Sequence, residues 1–378
     1  MAINVPRSAN IDRVVLVSID TFRWYYHQPY RELYPPGVWY RGVAQATFTP
    51  TSHASMFTGQ NPPRHGVLNF GDTYRGDHLL KATDSVSYSN AVHPAGPFTR
   101  GFEQGTDAYK QVAFSAWHPD HERVPHFRYE HHEDHRAILD GIANRDLTFI
   151  HDWLLHGILD HTGDWYPVPE EDDPADFHRC YQQQVRESVR THEAILDALK
   201  EHGLYENTLF VVWGDHGCGF HEPPDETYGN GITVSEPHAR IPIAFCSPQF
   251  DETTVDTETN ARSVDIVPTL QTLMHDAGLR FGSLEHPIEG VDLTGFDGEL
   301  AGYTTSYKTP LTGENDGVRT REFALINDEV KEVRQVHGGL HADYSLERAV
   351  SAPETESWLE DLYHEVRQQP SKLIINGK

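Results

Sequence analysis

Val14-Val15-Leu16-Val17-Ser18-Ile19 is an almost unbroken apolar run rich in β-branched residues, the pattern of a strand buried on both faces of a parallel sheet. It ends in Asp20, where the carboxyl end of such a strand presents a polar group to a ligand crevice. Leu209-Phe210-Val211-Val212-Trp213 repeats the pattern and runs into Gly214-Asp215-His216-Gly217. Thr148-Phe149-Ile150 opens a third strand, followed by Asp152 and His156, and Ile241 to Phe245 reads as a fourth. Buried strands that each end in Asp or His predict one site at the edge of a parallel sheet.

Helices fit between these strands. From Asp176 to His202, the positions Val185, Val189, Leu196 and Leu199 share one helical face, and Gly203 supplies a stop. Ser52 to Thr58 starts with Ser or Thr as a cap and ends at Gly59, and Val264 to Met274 is a further amphipathic segment. Tyr166–Pro174 and Gly217–Pro237, rich in Pro, Gly and acidic residues, read as loops. Beyond about Gly282 the pattern weakens. There, Phe323–Ile326 and Val330–Val336 predict a hairpin around Asn327-Asp328, and Trp358–Val366 a terminal helix. The expected organisation is a catalytic domain over residues 1–290 with a C-terminal subdomain, 291–378, packed on it.

Charge narrows the partners. The 378 residues carry 30 basic and 57 acidic side chains, a formal charge of −27. A chain this acidic repels phosphate backbones and anionic lipid, which argues against a nucleic-acid polymer or a membrane surface as partner. Seven of the 30 basic residues are lysine. That bias suits either a high-salt (halophile) habitat or an arginine-preferring genome. Three cysteines, Cys180, Cys218 and Cys246, are too few and too far apart for a disulfide framework or a cysteine zinc site. With no apolar leader from Met1 to Asp12 and no run long enough to span a bilayer, the expectation is a cytoplasmic enzyme.

The 25 histidines are the unusual component, and beside Asp in short motifs they suggest metal. Asp215-His216, bracketed by glycines after a buried strand, can offer carboxylate oxygen and imidazole nitrogen to one cation such as zinc or manganese. Asp20 alone is equally compatible with a helix cap. Thr47 to Gly59 adds several hydroxyls at a helix N-terminus, where backbone N–H groups and the dipole favour an anion. A hydroxyl bound to metal there can lose its proton and attack phosphorus or sulfur. Without Asp20 and Asp215-His216 the same segment would read as a capping turn.

These pieces, in this order, resemble the sulfatase-like branch of the alkaline phosphatase superfamily, the relatives of sulfatases and type I phosphodiesterases. The likeness rests on Ser18 to Arg23, Thr49 to Gly59, Pro63 to Val67, Thr99 to Glu103, Leu204 to Gly217 and Val264 to Leu270. It extends from about Val14 to Leu293. It implies an α/β sandwich with a central, mostly parallel sheet. It also implies Asp20, Asp215 and His216 as metal ligands and Thr49 at the nucleophile position, with Thr51 and Ser52 as competing hydroxyls. The resemblance further implies divalent metal ions, zinc, manganese, magnesium or calcium, one or two per chain.

Two departures from the branch bear on chemistry. Sulfatases carry a Cys, oxidised to formylglycine, where this chain has Thr49, and the Arg that follows is His53 here. They also supply lysines that pair with sulfate, whereas no lysine lies between Lys110 and Lys200 or between Lys200 and Lys308. A threonine nucleophile resembles the phosphodiesterase branch, which uses two metals. For the second, Asp152 and His156 have the Asp-x-x-x-His spacing of two-metal members, and His238 stands where relatives place a third His. In a one-metal alignment His156 instead binds the substrate's anionic group and Asp152 is incidental. His53, Arg23 and His221 are candidates for contact with substrate, although Arg23 equally suits a structural ion pair and His221 a solvated loop. Asp160 and His161 are further candidates.

The reading is therefore a metal-dependent hydrolase of phosphate esters, phosphodiesters foremost, acting on a small anionic ester through a covalent intermediate on Thr49. The alternatives are a sulfuric ester hydrolase, a phosphotransferase or mutase of the same superfamily, and a binding protein that kept the fold. Specificity is expected in Trp117–His135, Tyr166–Pro174 and Gly217–Pro237. The first of these holds His118, His121, His126, His131, His132 and His135.

Overall fold

The computed structural model describes residues 3, 10–90, 101–105, 109–111, 133–159, 173–222, 226–307, 315–327, 329–336, 344–349, 357–361, 363–364 and 374–375. Asp160, His161, the histidines from His118 to His132 and most of the loop at 166–174 lie outside the described residues.

Ten strands precede the C-terminal region: β1 (Arg13–Ile19), β2 (Gly37–Val43), β3 (Ser85–Ser89), β4 (Tyr109–Gln111), β5 (Leu147–Asp152), β6 (Thr208–Gly214), β7 (Gly219–Phe220), β8 (Tyr228–Gly229), β9 (Arg240–Cys246) and β10 (Thr254–Asp256). Eight of them form one sheet in the order β10-β2-β9-β6-β1-β5-β3-β4, and β7 and β8 pair separately. β1, the run read first in the sequence, lies between β5 and β6 and is parallel to both. β9 is antiparallel to β6 and β2, so the sheet is mostly, not wholly, parallel. Asp20 and Asp215 therefore leave neighbouring strands at the same edge. The antiparallel β9 enters from that edge, with His238 just before it.

Side chains alternate across the sheet as strand geometry requires. Val15, Val17 and Ile19 pack on one face with Tyr181, Val185, Leu196 and Leu199 of the long helix Pro174–Glu201. Val14 and Leu16 pack on the other face with Met56, Phe57, Ile266 and Leu270. The last four come from the helices Thr49–Thr58 and Ile266–Asp276. Both faces are covered, which is why β1 and β6 read as continuous apolar runs rather than alternating ones.

Asp173 caps the long helix by accepting from the Ala175 N–H, and Gly203 follows its end at φ 67°. The helix expected from Ser52 begins earlier, at Thr49. Pro50 suits the first turn of a helix because it has no N–H to leave unpaired. Its N-cap is Phe48, and no side chain caps it. The expected hairpin is present as Phe323–Ile326 against Glu329–Val336, within a five-stranded antiparallel sheet of C-terminal segments. Hydrogen bonds and ion pairs hold that sheet to the rest, three of them close to the strand ends. The Thr47 N–H donates to the Thr305 carbonyl at 3.0 Å and the Thr304 hydroxyl to the Ala44 carbonyl at 2.7 Å. Arg319 also reaches the buried carboxylate of Glu236.

Candidate active site

β1 and β6 deliver Asp20 and Asp215 side by side, both fully buried. After Asp20 the chain turns through Thr21 at φ 56°, a left-handed conformation that β-branched residues avoid. Three hydrogen bonds hold this turn. The Thr21 N–H donates to Asp215 Oδ1 at 3.0 Å, its hydroxyl to the Asp20 carbonyl at 2.7 Å, and the Tyr181 hydroxyl to the Thr21 carbonyl at 2.7 Å. After Asp215, the His216 N–H donates to Asp215 Oδ1 at 2.8 Å. Gly217 follows because any Cβ there would lie 2.0 Å from the Pro237 carbonyl oxygen.

The first residue of the helix Thr49–Thr58 completes the group. The Thr49 hydroxyl donates to Asp20 Oδ2 at 3.1 Å and lies 3.2 Å from His216 Nε2. The rival hydroxyls are used elsewhere or enclosed. Ser52 donates to the Asp215 carbonyl at 2.5 Å, and Thr51 Oγ1 is buried without a hydrogen-bond partner. The uncapped helix end adds partial positive charge beside Thr49.

Asp20, Asp215 and His216 place ligand atoms within 4.8 Å of one another. Asp20 Oδ1 and Asp215 Oδ2 are buried with no hydrogen-bond partner and lie 3.6 and 3.5 Å from His216 Nε2. Two orphaned carboxylate oxygens facing one imidazole nitrogen fit a divalent cation, since buried charge is otherwise costly. Electrostatics agree. Burial opposes the charge of Asp20, but His156, His151 and His216 outweigh it and hold the carboxyl well below the usual range. Burial, and then the Asp20 charge, push Asp215 up to about 6. A cation between the two would relieve that repulsion.

His151, in β5, carries no expectation from the sequence, yet its Nε2 lies 3.3 Å from Asp20 Oδ2. With His53 and Asp215 it forms a second group of close ligand atoms. Pairing of Ser18 with His151 sets its position. The sequence hint was its place one residue before Asp152 at the end of a buried strand.

The other expected site residues fall elsewhere. Asp152, next to His151 in an extended strand, points its carboxylate to the opposite face. Oδ1 accepts from Asn90 Nδ2 at 3.1 Å and the Leu154 N–H at 3.0 Å. Oδ2 accepts from the Ser188 hydroxyl at 2.7 Å and pairs with His192 Nε2 at 3.0 Å. His238 is engaged by Ser235 Oγ at 3.0 Å and the Gly229 carbonyl at 3.0 Å, and its own carbonyl accepts from the Gly217 N–H at 2.8 Å. The structure therefore does not bring Asp152, His156 and His238 together as a second ligand set. His156 stacks on Trp153 and remains within electrostatic reach of Asp20.

His53 sits beneath the cluster, fully buried, rather than in a substrate-facing position. Its Nδ1 lies 3.0 Å from the Thr49 carbonyl and its Nε2 2.9 Å from Ser18 Oγ. The carbonyl can only accept, so Nδ1 carries the proton. Burial, reinforced by His151, holds His53 neutral, well below the ordinary histidine pKa. Arg23 is buried in an ion pair with Glu222 at 2.5 Å and lies 4.7 Å over the Phe220 ring, the structural alternative left open above. His221 stacks on Tyr228 at the β7–β8 turn. Asn230, in the same loop and also unexpected, brings its side-chain amide to 3.3 Å from His216 Nε2.

Comparison with known proteins agrees with this architecture. The sulfatase family model matches residues 13–277. A 2-O GAG sulfatase is similar in structure, with a TM-score of 0.67 at 13% identity over 96% of this chain and 93% of the other. The phosphonate monoester hydrolase of Agrobacterium radiobacter gives 0.64 at 14% over 97% and 100%. That from Silicibacter pomeroyi gives 0.59 at 17% over 96% of each. No curated protein matches the sequence. Among the described residues no helix is long and apolar enough to cross a membrane.

Proposed function

The chain belongs to the sulfatase family, and from that premise we propose that it is a metal-dependent hydrolase of phosphate esters, diesters foremost, with Thr49 as nucleophile. The observation that carries this reading is the Thr49 hydroxyl, at an uncapped helix N-terminus and within 3.1 Å of Asp20 and 3.2 Å of His216. Asp20, Asp215 and His216 would hold one divalent cation, with His151 steadying Asp20. Such a cation supplies positive charge that lowers the pKa of the neighbouring hydroxyl and offsets the ester's oxygens.

Thr49 Oγ1, oriented by its two neighbours, forms a bond to phosphorus as the bond from phosphorus to the alcohol oxygen breaks. The N–H groups of the helix end face the phosphoryl oxygens, and His156, half-buried and within electrostatic reach of Asp20, places the anionic group. Water then cleaves the Thr49 phosphoester, releases the phosphate product and restores the hydroxyl. Phosphate is favoured over sulfate because Thr49 replaces the oxidisable Cys and no lysine lies between positions 200 and 308. A sulfate ester remains the second reading, favoured by the family itself.

The test compares nitrophenyl phosphate, phosphodiester, phosphonate and sulfate substrates on one preparation with its metal content measured. Phosphate or phosphodiester turnover should dominate, and Thr49→Ala should lower kcat on the order of 10³-fold or more at unchanged metal content. Near-normal turnover in Thr49→Ala removes the nucleophile, and dominant sulfate turnover removes the substrate class. Incorporation of labelled water oxygen into the released phosphate separates hydrolysis from transfer to an alcohol.

A further inference from the structure

Three of the five large hydrophobic side chains that are exposed among the described residues, Leu68, Phe70 and Ile232, fall in two segments next to the site. Phe48 directly precedes Thr49, and its ring lies 5.5 Å from Phe70 and 5.6 Å from Tyr307 between centroids. Phe70 and Tyr307 are 5.1 Å apart at 69°, an edge-to-face contact that closes a three-ring wall. Phe48 is buried as its base, while Phe70 is 36% exposed.

The wall is tied to the loop that reaches the cluster. The Tyr307 N–H donates to the Gly231 carbonyl at 2.8 Å, and a Cβ on Gly231 would lie 3.4 Å from Phe48 Cβ and 3.5 Å from Tyr307 Cβ. One residue earlier, Asn230 reaches His216. Apolar surface in solvent is unfavourable and, when contiguous, marks a binding surface. Asn69, beside Phe70 in the chain, turns its amide to Asp72 at 3.5 Å.

Resting on the phosphate-ester reading, we propose that Phe70 and Tyr307, seated on Phe48, form the subsite for the ester's organic group. That group is aromatic or similarly flat and apolar, not a polyhydroxylated sugar. With phosphorus at Thr49, a ring in the substrate lies against Phe70 and is shielded by Ile232 and Leu68. The sugar alternative is disfavoured because a sugar site needs converging polar groups around the ring.

The test uses non-hydrolysable phosphonates as competitive inhibitors of the metal-loaded enzyme. Phenylphosphonate should bind at least about tenfold more tightly than methylphosphonate. Phe70→Ala, at an exposed position, should cut that preference to within about threefold, chiefly by weakening the phenyl compound. The phosphonate analogue of glucose 6-phosphate, in which a P–C bond replaces the ester, should bind no better than methylphosphonate. Equal binding of the phenyl and methyl compounds to the unsubstituted enzyme, or a preference for the sugar phosphonate, overturns the subsite. Failure of every phosphorus compound to bind overturns the phosphate reading itself, and the subsite with it.

Discussion

Asp152 has the spacing of a metal ligand but the surroundings of a structural clamp, and two substitutions separate the roles. In Asp152→Ala four donors lose their acceptor: Asn90 Nδ2, the Leu154 N–H, the Ser188 hydroxyl and His192 Nε2. A buried donor left unpaired costs about 1–3 kcal/mol. Asn90 is half-buried and can turn to water. The remaining three give a loss of about 3–9 kcal/mol, a large share of the ~5–15 kcal/mol that typically holds a domain folded.

Asp152→Asn keeps an oxygen for Asn90 and Leu154 and presents an NH₂ group to Ser188 and His192. The Ser188 hydroxyl can rotate to accept. His192 can accept on Nε2 if its proton moves to Nδ1, where the Tyr34 hydroxyl, 3.1 Å away, is able to receive it. The expected loss is then about 1–2 kcal/mol. Urea unfolding of both variants, with elemental analysis of the same samples, reads the two roles separately. The clamp predicts graded destabilisation, Ala beyond Asn, at unchanged metal stoichiometry in the Asn variant. If the Asn variant instead loses metal while its stability stays within about 0.5 kcal/mol of the parent, Asp152 is a ligand and the clamp argument fails.

Asp215→Asn should lose bound metal in elemental analysis, yet after chelation it should melt no lower than the parent. It keeps an acceptor for Thr21 and His216 and removes the buried repulsion with Asp20. A lower melting temperature in the chelated form would contradict this. Acid should destabilise the fold before ordinary carboxylates titrate. Burial holds His65 down to about 3 and His78 to about 4, whereas unfolded histidine titrates near 6.5. Both histidines are therefore neutral when folded, and the unfolded chain binds their protons first. Stability is full above about pH 6.5 and falls as pH drops towards the folded values, by about 1 kcal/mol per histidine between pH 7.5 and 5.5. Denaturant midpoints of the chelated protein at those two pH values test this, and a midpoint that rises on acidification refutes it. His53→Arg should abolish folding or activity, because a permanent charge would stand where both ring nitrogens are hydrogen-bonded in a fully buried pocket. Unchanged turnover in that variant would show that the pocket opens to solvent.

Much of the histidine excess becomes structural in this light. His65 pairs with Ser55 at 2.9 Å, His178 with Tyr26 at 2.5 Å, and His192 with Asp152 and Tyr34. These side chains satisfy buried polar groups inside the fold. Composition could raise the possibility of metal but could not separate ligands from packing.

The chain by itself determined the strands β1, β5 and β6, the polar residues at their ends, the hydroxyl-bearing segment from Thr49 and the long helix before β6. These are local: a strand buried on both faces must be an apolar run, and a cap, a proline or a glycine marks where it stops or a helix begins. The strand Gly37–Val43 escaped because Arg41 and two glycines interrupt its apolar pattern, although every residue in it is buried. The antiparallel setting of β9 escaped because an apolar run carries no direction.

Only the tertiary structure decided which of the candidate groups meet. His151 and Asp152 are adjacent, and in an extended strand adjacent side chains leave opposite faces. The long helix with Ser188 and His192 covers one face and takes Asp152, so His151 is the residue that turns towards Asp20. In the same way Glu222, distant in sequence, claims Arg23, and Asn230 arrives beside His216 because β7 and β8 fold its loop back. Spacing along the chain tells which residues are near a strand end. Which face they use is set by what packs there.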